Sequence, residues 1–98
     1  DMNKQGYLGA TAVSRAARKG HAAVLDLLLS KGADPEIPNL KLQFPLHFAA
    51  FNNHEECVRV LLRRNASPWA LDRKGRTPAE DTNDERIVQI LNSSAGRG

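Results

Sequence analysis

A chain of 98 residues with 14 Lys and Arg against 11 Asp and Glu, a formal net charge of +3, has the length of one small domain and a surface of mixed sign. That balance is too mild to imply nucleic acid as a partner, and the single cysteine cannot close an internal disulfide, which suits a reducing compartment, cytoplasmic or nuclear. No apolar run approaches the roughly 18 residues of a membrane-spanning helix, so direct membrane insertion is not expected.

In chain order, Gln5 to Ala10 reads as a first exposed turn. Thr11 then opens a helix by offering its side-chain oxygen to the unpaired amides there. Gly20 and His21 close that helix, and Val24, Leu25, Leu27, Leu28 and Leu29 are expected to form the buried stripe of a second, capped by Gly32 in left-handed conformation. A loop over residues 34–43 follows, held to extended and turn conformations by Pro35 and Pro38.

Phe44 to Asn65 is the most regular stretch. Leu46, Ala49 and Ala50 recur at helical spacing before a polar break at Asn52, Asn53 and His54, and Val58, Leu61 and Leu62 do so after it. Two amphipathic helices so close together fold back as an antiparallel pair. Arg63 and Arg64 offset the helix dipole, and Asn65 is a candidate left-handed cap. A third loop spans Ser67 to Arg76. A polar run from Asp81 to Glu85 precedes the apolar residues Ile87, Val88, Ile90 and Leu91, and a small-residue tail covers residues 93–98.

A fixed step runs through these elements. Thr11, Phe44 and Thr77 lie 33 apart, and the same step takes His21 to His54, Leu28 to Leu61, Ala33 to Ala66 and Pro35 to Pro68. Such self-similarity marks a solenoid, whose units cannot bury their apolar faces alone and stack on one another. Ile90 and Leu91 arrive three residues early, so the last unit is compressed and fits a terminal cap with a polar outer face. The opening DMN aligns with Asp34, Pro35 and Glu36, as if cut just after a preceding unit; the alternative is a natural N-terminal arm that mimics such an end.

PLHFAA at 45–50 and GHAAVLDLLLSKGAD at 20–34 resemble the TPLHxAA and GHxxVVxLLLxxGAD signatures of the ankyrin-repeat family, and LDRKGRTP at 71–78 resembles its DxxGxTP pattern. The resemblance implies an all-α solenoid of stacked antiparallel helix pairs with projecting β-turn or hairpin loops. The domain would cover residues 1–92, with repeats near 6–38, 39–71 and 72–92, and 93–98 as a flexible tail. It also implies that Ala16 and Ala17 are small because the inner helices of adjacent repeats approach closely. The chain departs from the pattern at Leu42, a usual glycine position whose turn is expected to be reshaped to avoid positive φ, and at Phe44, which replaces the capping threonine. Ala12 and Ser14 replace the proline and histidine of the first repeat.

Three histidines and one cysteine raise the question of a metal site. His21 and His54 are period mates, which stacking separates, and no CxxC or HxxxH pair begins a tetrahedral site. The resemblance implies that both histidines bond neighbouring backbone, that His47 must change its tether because Phe44 stands where threonine is usual, and that Cys57 is a buried, inert thiol. No nucleophile with a base and an orienting acid is specified, so neither catalysis nor a cofactor is expected.

In ankyrin arrays the finger tips and the outward side of each first helix line a concave face used for partners. By position these are Tyr7, Leu8, Arg18 and Lys19, then Leu40, Lys41, Gln43, Phe51 and Asn52, then Arg73, Lys74 and Arg76, with Trp69 a further candidate. Aromatic residues beside arginines are the usual make-up of a binding hot spot, and the basic members, Arg15 among them, suit an acidic or phosphorylated peptide. The expected function is a non-catalytic, monomeric module binding a protein or peptide; the alternative is a regulatory or targeting segment of a larger enzyme or membrane protein. Nucleic-acid binding through the arginines of the third finger is a weaker alternative, testable by salt dependence.

Overall fold

The computed structural model describes residues 11–95, with side chains through residue 93; the expected turn at 5–10, with Tyr7 and Leu8, lies outside them. Thr11 starts the architecture. Its hydroxyl accepts the Ser14 N–H at 3.1 Å while its own N–H donates to Ser14 Oγ at 3.0 Å, a reciprocal cap for α1, Ala12–Lys19. Gly20, at φ 79°, ends α1 and turns the chain into α2, Ala22–Ser30. Gly32 is left-handed as expected.

The second unit repeats this plan with α3, Pro45–Phe51, and α4, Glu55–Arg63. Asn53 and Asn65 take the left-handed positions, at φ 59° and 69°. In the third unit a four-residue 3-10 turn, Pro78–Asp81, replaces the inner helix, which accounts for the three-residue compression; α5, Glu85–Ala95, follows. α5 continues through Ser93 to Ala95, which were expected in the tail; 96–98 lie outside the described residues.

The elements form two layers. α1, α3 and the 3-10 turn pack in series as the inner layer, and α2, α4 and α5 as the outer one. Ala16 and Ala17 on α1, with Ala49 and Ala50 on α3, are all buried, so small side chains line the inner seam. Leu25, Leu46, Leu61, Ile87 and Leu91 fill the space between layers. Among the described residues there is no strand, and no helix is long and apolar enough to cross a membrane.

Two expectations are corrected. Val24 and Leu27, read as part of a buried stripe, are half exposed, because only Leu25 and Leu29 of α2 face the inside of the stack fully. The loop at Leu42 is not reshaped. Asn39 Oδ1 accepts the N–H groups of Lys41 and Gln43, and Asp72 Oδ1 accepts those of Lys74 and Arg76, at corresponding positions one period on. Leu42 at φ 59° occupies the conformation of Gly75 at φ 75°, so the turn is kept and the leucine carries the left-handed strain, about 1–2 kcal/mol.

Candidate partner-binding groove

The two finger turns hang from the inner layer. His47 is buried on α3; its Nδ1 accepts the Phe44 N–H at 3.1 Å, so Nε2 carries the hydrogen and donates to Arg76 O at 2.9 Å. The tether of His47 has therefore moved from a side-chain hydroxyl to backbone on both sides. The fingers are also fastened together: Arg73 N–H donates to Lys41 O at 3.1 Å and Arg73 Nη2 to Leu40 O at 2.6 Å.

Between the fingers and the inner helices lie two adjoining depressions. The larger, about 570 Å³, is walled by Lys41, Arg73, Lys74 and Arg76; the smaller, about 160 Å³, reaches Arg18, Phe48 and Asn52. Gln43, Phe51 and Asp81 line both, so Phe51, 66% exposed, stands at their junction. The expected residues Arg18, Lys41, Gln43, Phe51, Asn52, Arg73, Lys74 and Arg76 thus come together in one groove. Lys19, Leu40 and Trp69 are exposed but line neither depression. Glu36, the period mate of Trp69, accepts the Ser67 N–H of the next unit at 3.1 Å.

The cations of the groove fall into two groups. Arg76 is engaged, with Nε 3.0 Å from Asp81 Oδ1 and Nη2 donating to Glu80 O, and the Arg73 guanidinium is engaged with Leu40. Arg18, Lys41 and Lys74, and also Arg15 and Lys19 outside the two depressions, form no side-chain hydrogen bond or ion pair among the described residues. Bonds from the Arg76 and Lys74 amides hold the Asp72 carboxyl below its ordinary value, whereas burial and then the nearby Asp72 charge push Asp81 up. Glu80 is held low by the Thr77 N–H and hydroxyl.

His47, Asp72 and Asp81 bring three potential ligand atoms within 4.8 Å of one another, a cluster the sequence reading did not single out. Each group is already committed: His47 through both nitrogens, Asp72 to two finger amides, Asp81 to Arg76. The cluster braces the third finger against α3. Asp81 and Asn83 were also missed as groove residues, because a polar run reads as an exposed turn until the inner helix is known to be shortened. Cys57 is buried, and desolvation, then Glu56, raises its thiol pKa, as an inert core thiol requires. Of the two period-mate histidines, His54 bonds Arg18 O at 3.0 Å; His21 is exposed and has no such partner among the described residues.

Stacked helix pairs with paired finger turns, repeating every 33 residues, define a helical repeat solenoid with a grooved face. The chain belongs to the ankyrin-repeat family: the family model for ankyrin repeats in three copies matches residues 13–94. It is similar to transient receptor potential cation channel subfamily A member 1 of Homo sapiens, 41% identical over 63 residues that make up 64% of this chain and 6% of that one. It is 37% identical over 83 residues to protein phosphatase 1 regulatory subunit 12A of Mus musculus, covering 85% of this chain and 8% of the relative. Putative ankyrin repeat protein L92 of Acanthamoeba polyphaga mimivirus is 35% identical over 77 residues, 78% of this chain and 19% of its own length. The chain thus spans a fifth or less of each of these relatives. Ankyrin repeats are protein-interaction modules and are generally non-catalytic.

Proposed function

We propose that the groove around Phe51 binds an extended protein or peptide segment, with no chemistry performed on it. The observation that carries this reading is Phe51 itself. A phenyl ring two-thirds exposed at the junction of two depressions gains most by being covered, and unpaired Arg18, Lys41 and Lys74 surround it. Those cations favour an acidic segment, whose charge would steer its approach. The stiff inner layer and the cross-fastened fingers keep the ordering cost of binding low.

A display library of acidic peptides, screened against the 98-residue chain, tests the reading. Binders should lose at least about tenfold in affinity with Phe51→Ala or Arg18→Ala, while melting followed by circular dichroism stays nearly unchanged. Binders indifferent to both substitutions would remove the groove from consideration. Affinity that falls steeply with salt on a random oligonucleotide, and is absent for peptides, would favour nucleic acid instead.

The small share of each relative that is matched supports a second reading at another level: the module regulates or targets a larger protein that carries the activity. The buried lone thiol supports a reducing compartment, cytoplasmic or nuclear, for which localisation of a tagged chain is the direct check.

A further inference from the structure

We propose that the upstream side of α2 is an unfilled stacking interface whose occupant is a further helix pair of the same repeat design, seated in register before α1 and α2. This rests on period mates and is independent of the groove. Val24 and Leu27 are 50% and 55% exposed, whereas their mates Cys57 and Val60 are 0% and 3% exposed. Among the described residues, the first and second units both have a downstream neighbour, and of these two the second alone has an upstream one. The third has an upstream neighbour and no downstream one among the described residues, and there Ile87, the counterpart of Cys57, is fully buried. Burial at this position therefore follows the upstream neighbour.

Two polar groups tell the same story. His54 reaches back to Arg18 O of the preceding unit at 3.0 Å, and Arg64 reaches back to Asp26 at 3.1 Å. Their first-unit mates, His21 and Lys31, are exposed and make no such side-chain contact among the described residues. One face thus presents two apolar side chains, an imidazole and an ammonium, each at a position whose mate is satisfied by the unit before it. The matching surface needs an apolar outer helix, a carbonyl in place of that of Arg18 and an acid in place of Asp26.

A second copy of this chain, docking by its far end, does not supply that surface. Allowing for the three-residue compression, Gln89 stands where Asp26 would and exposed Asn92 where Leu29 would, and the inner element is a four-residue turn. The occupant is a helix pair with the downstream face of the first unit, not the end of the third.

Thiol labelling of a Val24→Cys variant tests the assignment, with Cys57 as the internal buried reference. In the 98-residue chain the new thiol should react freely. Duplicating residues 1–33 directly before Asp1 keeps the step of 33 and places a second α2 upstream. Labelling at position 24 should then slow at least about tenfold, with a melting midpoint raised by about 5 °C. Equal labelling in the two chains, or Cys57 becoming reactive in the longer one, overturns the proposal. Protection in the 98-residue chain that grows with its concentration overturns it too, because it would make a second copy the occupant.

Discussion

The ring of His54 lies against the α-carbon of Gly20, so close that a Cβ on Gly20 would stand 2.7 Å from Nδ1 and 2.8 Å from Cε1. The same ring bonds Arg18 O, so one histidine of the second unit seals the end of the first unit's inner helix. Gly20 is held by two demands at once, its φ of 79° and the missing side chain.

Gly20→Ala should therefore cost more than left-handed strain alone, which is about 1–2 kcal/mol. Gly32, at φ 96° with nothing within 4 Å of its would-be Cβ, is the control and should pay only that strain. Chemical denaturation of a double-mutant cycle separates the terms. In a His54→Ala background the Gly20→Ala cost should shrink to the Gly32→Ala value, leaving a coupling of about 1 kcal/mol or more. No coupling would mean the ring moves aside without loss.

Leu42 offers the opposite sign. Glycine at this position relieves left-handed strain of about 1–2 kcal/mol and gives back part of it through greater freedom of the unfolded chain. Leu42→Gly should raise stability by about 0.5–1 kcal/mol, seen as a higher urea midpoint at unchanged slope. A lower midpoint would show that the half-exposed leucine makes contacts worth more than its strain.

The helix pairs, their period and the caps at Thr11, Gly32 and Asn65 were legible because apolar spacing and cap chemistry are local. Leu42 was misread because the finger's hydrogen bonds to Asn39 act through tertiary context, which overrides a residue's own backbone preference. Val24 and Leu27 were misread for a different reason: the motif carries them in every repeat, but their burial depends on a neighbour that no motif within the repeat can report. Groove residues on regular elements, such as Arg18 and Phe51, transferred by position, whereas Asp81 depended on the shortened third unit.

His47 joins three segments, since its two nitrogens hold the backbone of Phe44 and of Arg76. Phe44 lacks a side-chain oxygen to cap α3, so the imidazole supplies what local cap order there is. His47→Ala should cost about 2–3 kcal/mol by stranding buried polar groups. Hydrogen exchange gives the sharper readout: the Phe44 amide should lose protection, and the finger amides of Lys74 and Arg76 should follow as their turn comes loose from α3. Unchanged exchange in the third finger would show that it is held by its own turn and by Arg73 alone.

Glu36 gives the pH test. Burial pushes its carboxyl above the ordinary 4.5, the bond from Ser67 N–H opposes the rise, and the nearby Asp34 charge adds to it. A raised folded-state value means that the folded protein keeps the proton where the unfolded chain has released it. The contribution of Glu36 is therefore fully present below 4.5 and is lost as pH rises through the higher folded value. Asp81, also raised, acts in the same direction above 3.8, while the lowered Asp72 and Glu80 contribute stability that is lost in stronger acid. Glu36→Gln keeps an oxygen for Ser67 N–H and removes the charge, so it should stabilise the protein at neutral pH and lose that advantage as Glu36 becomes protonated. Urea midpoints of both proteins, measured from about pH 4 to about pH 7, should converge toward the acid end. A constant gap between them would place the effect in packing instead of ionisation.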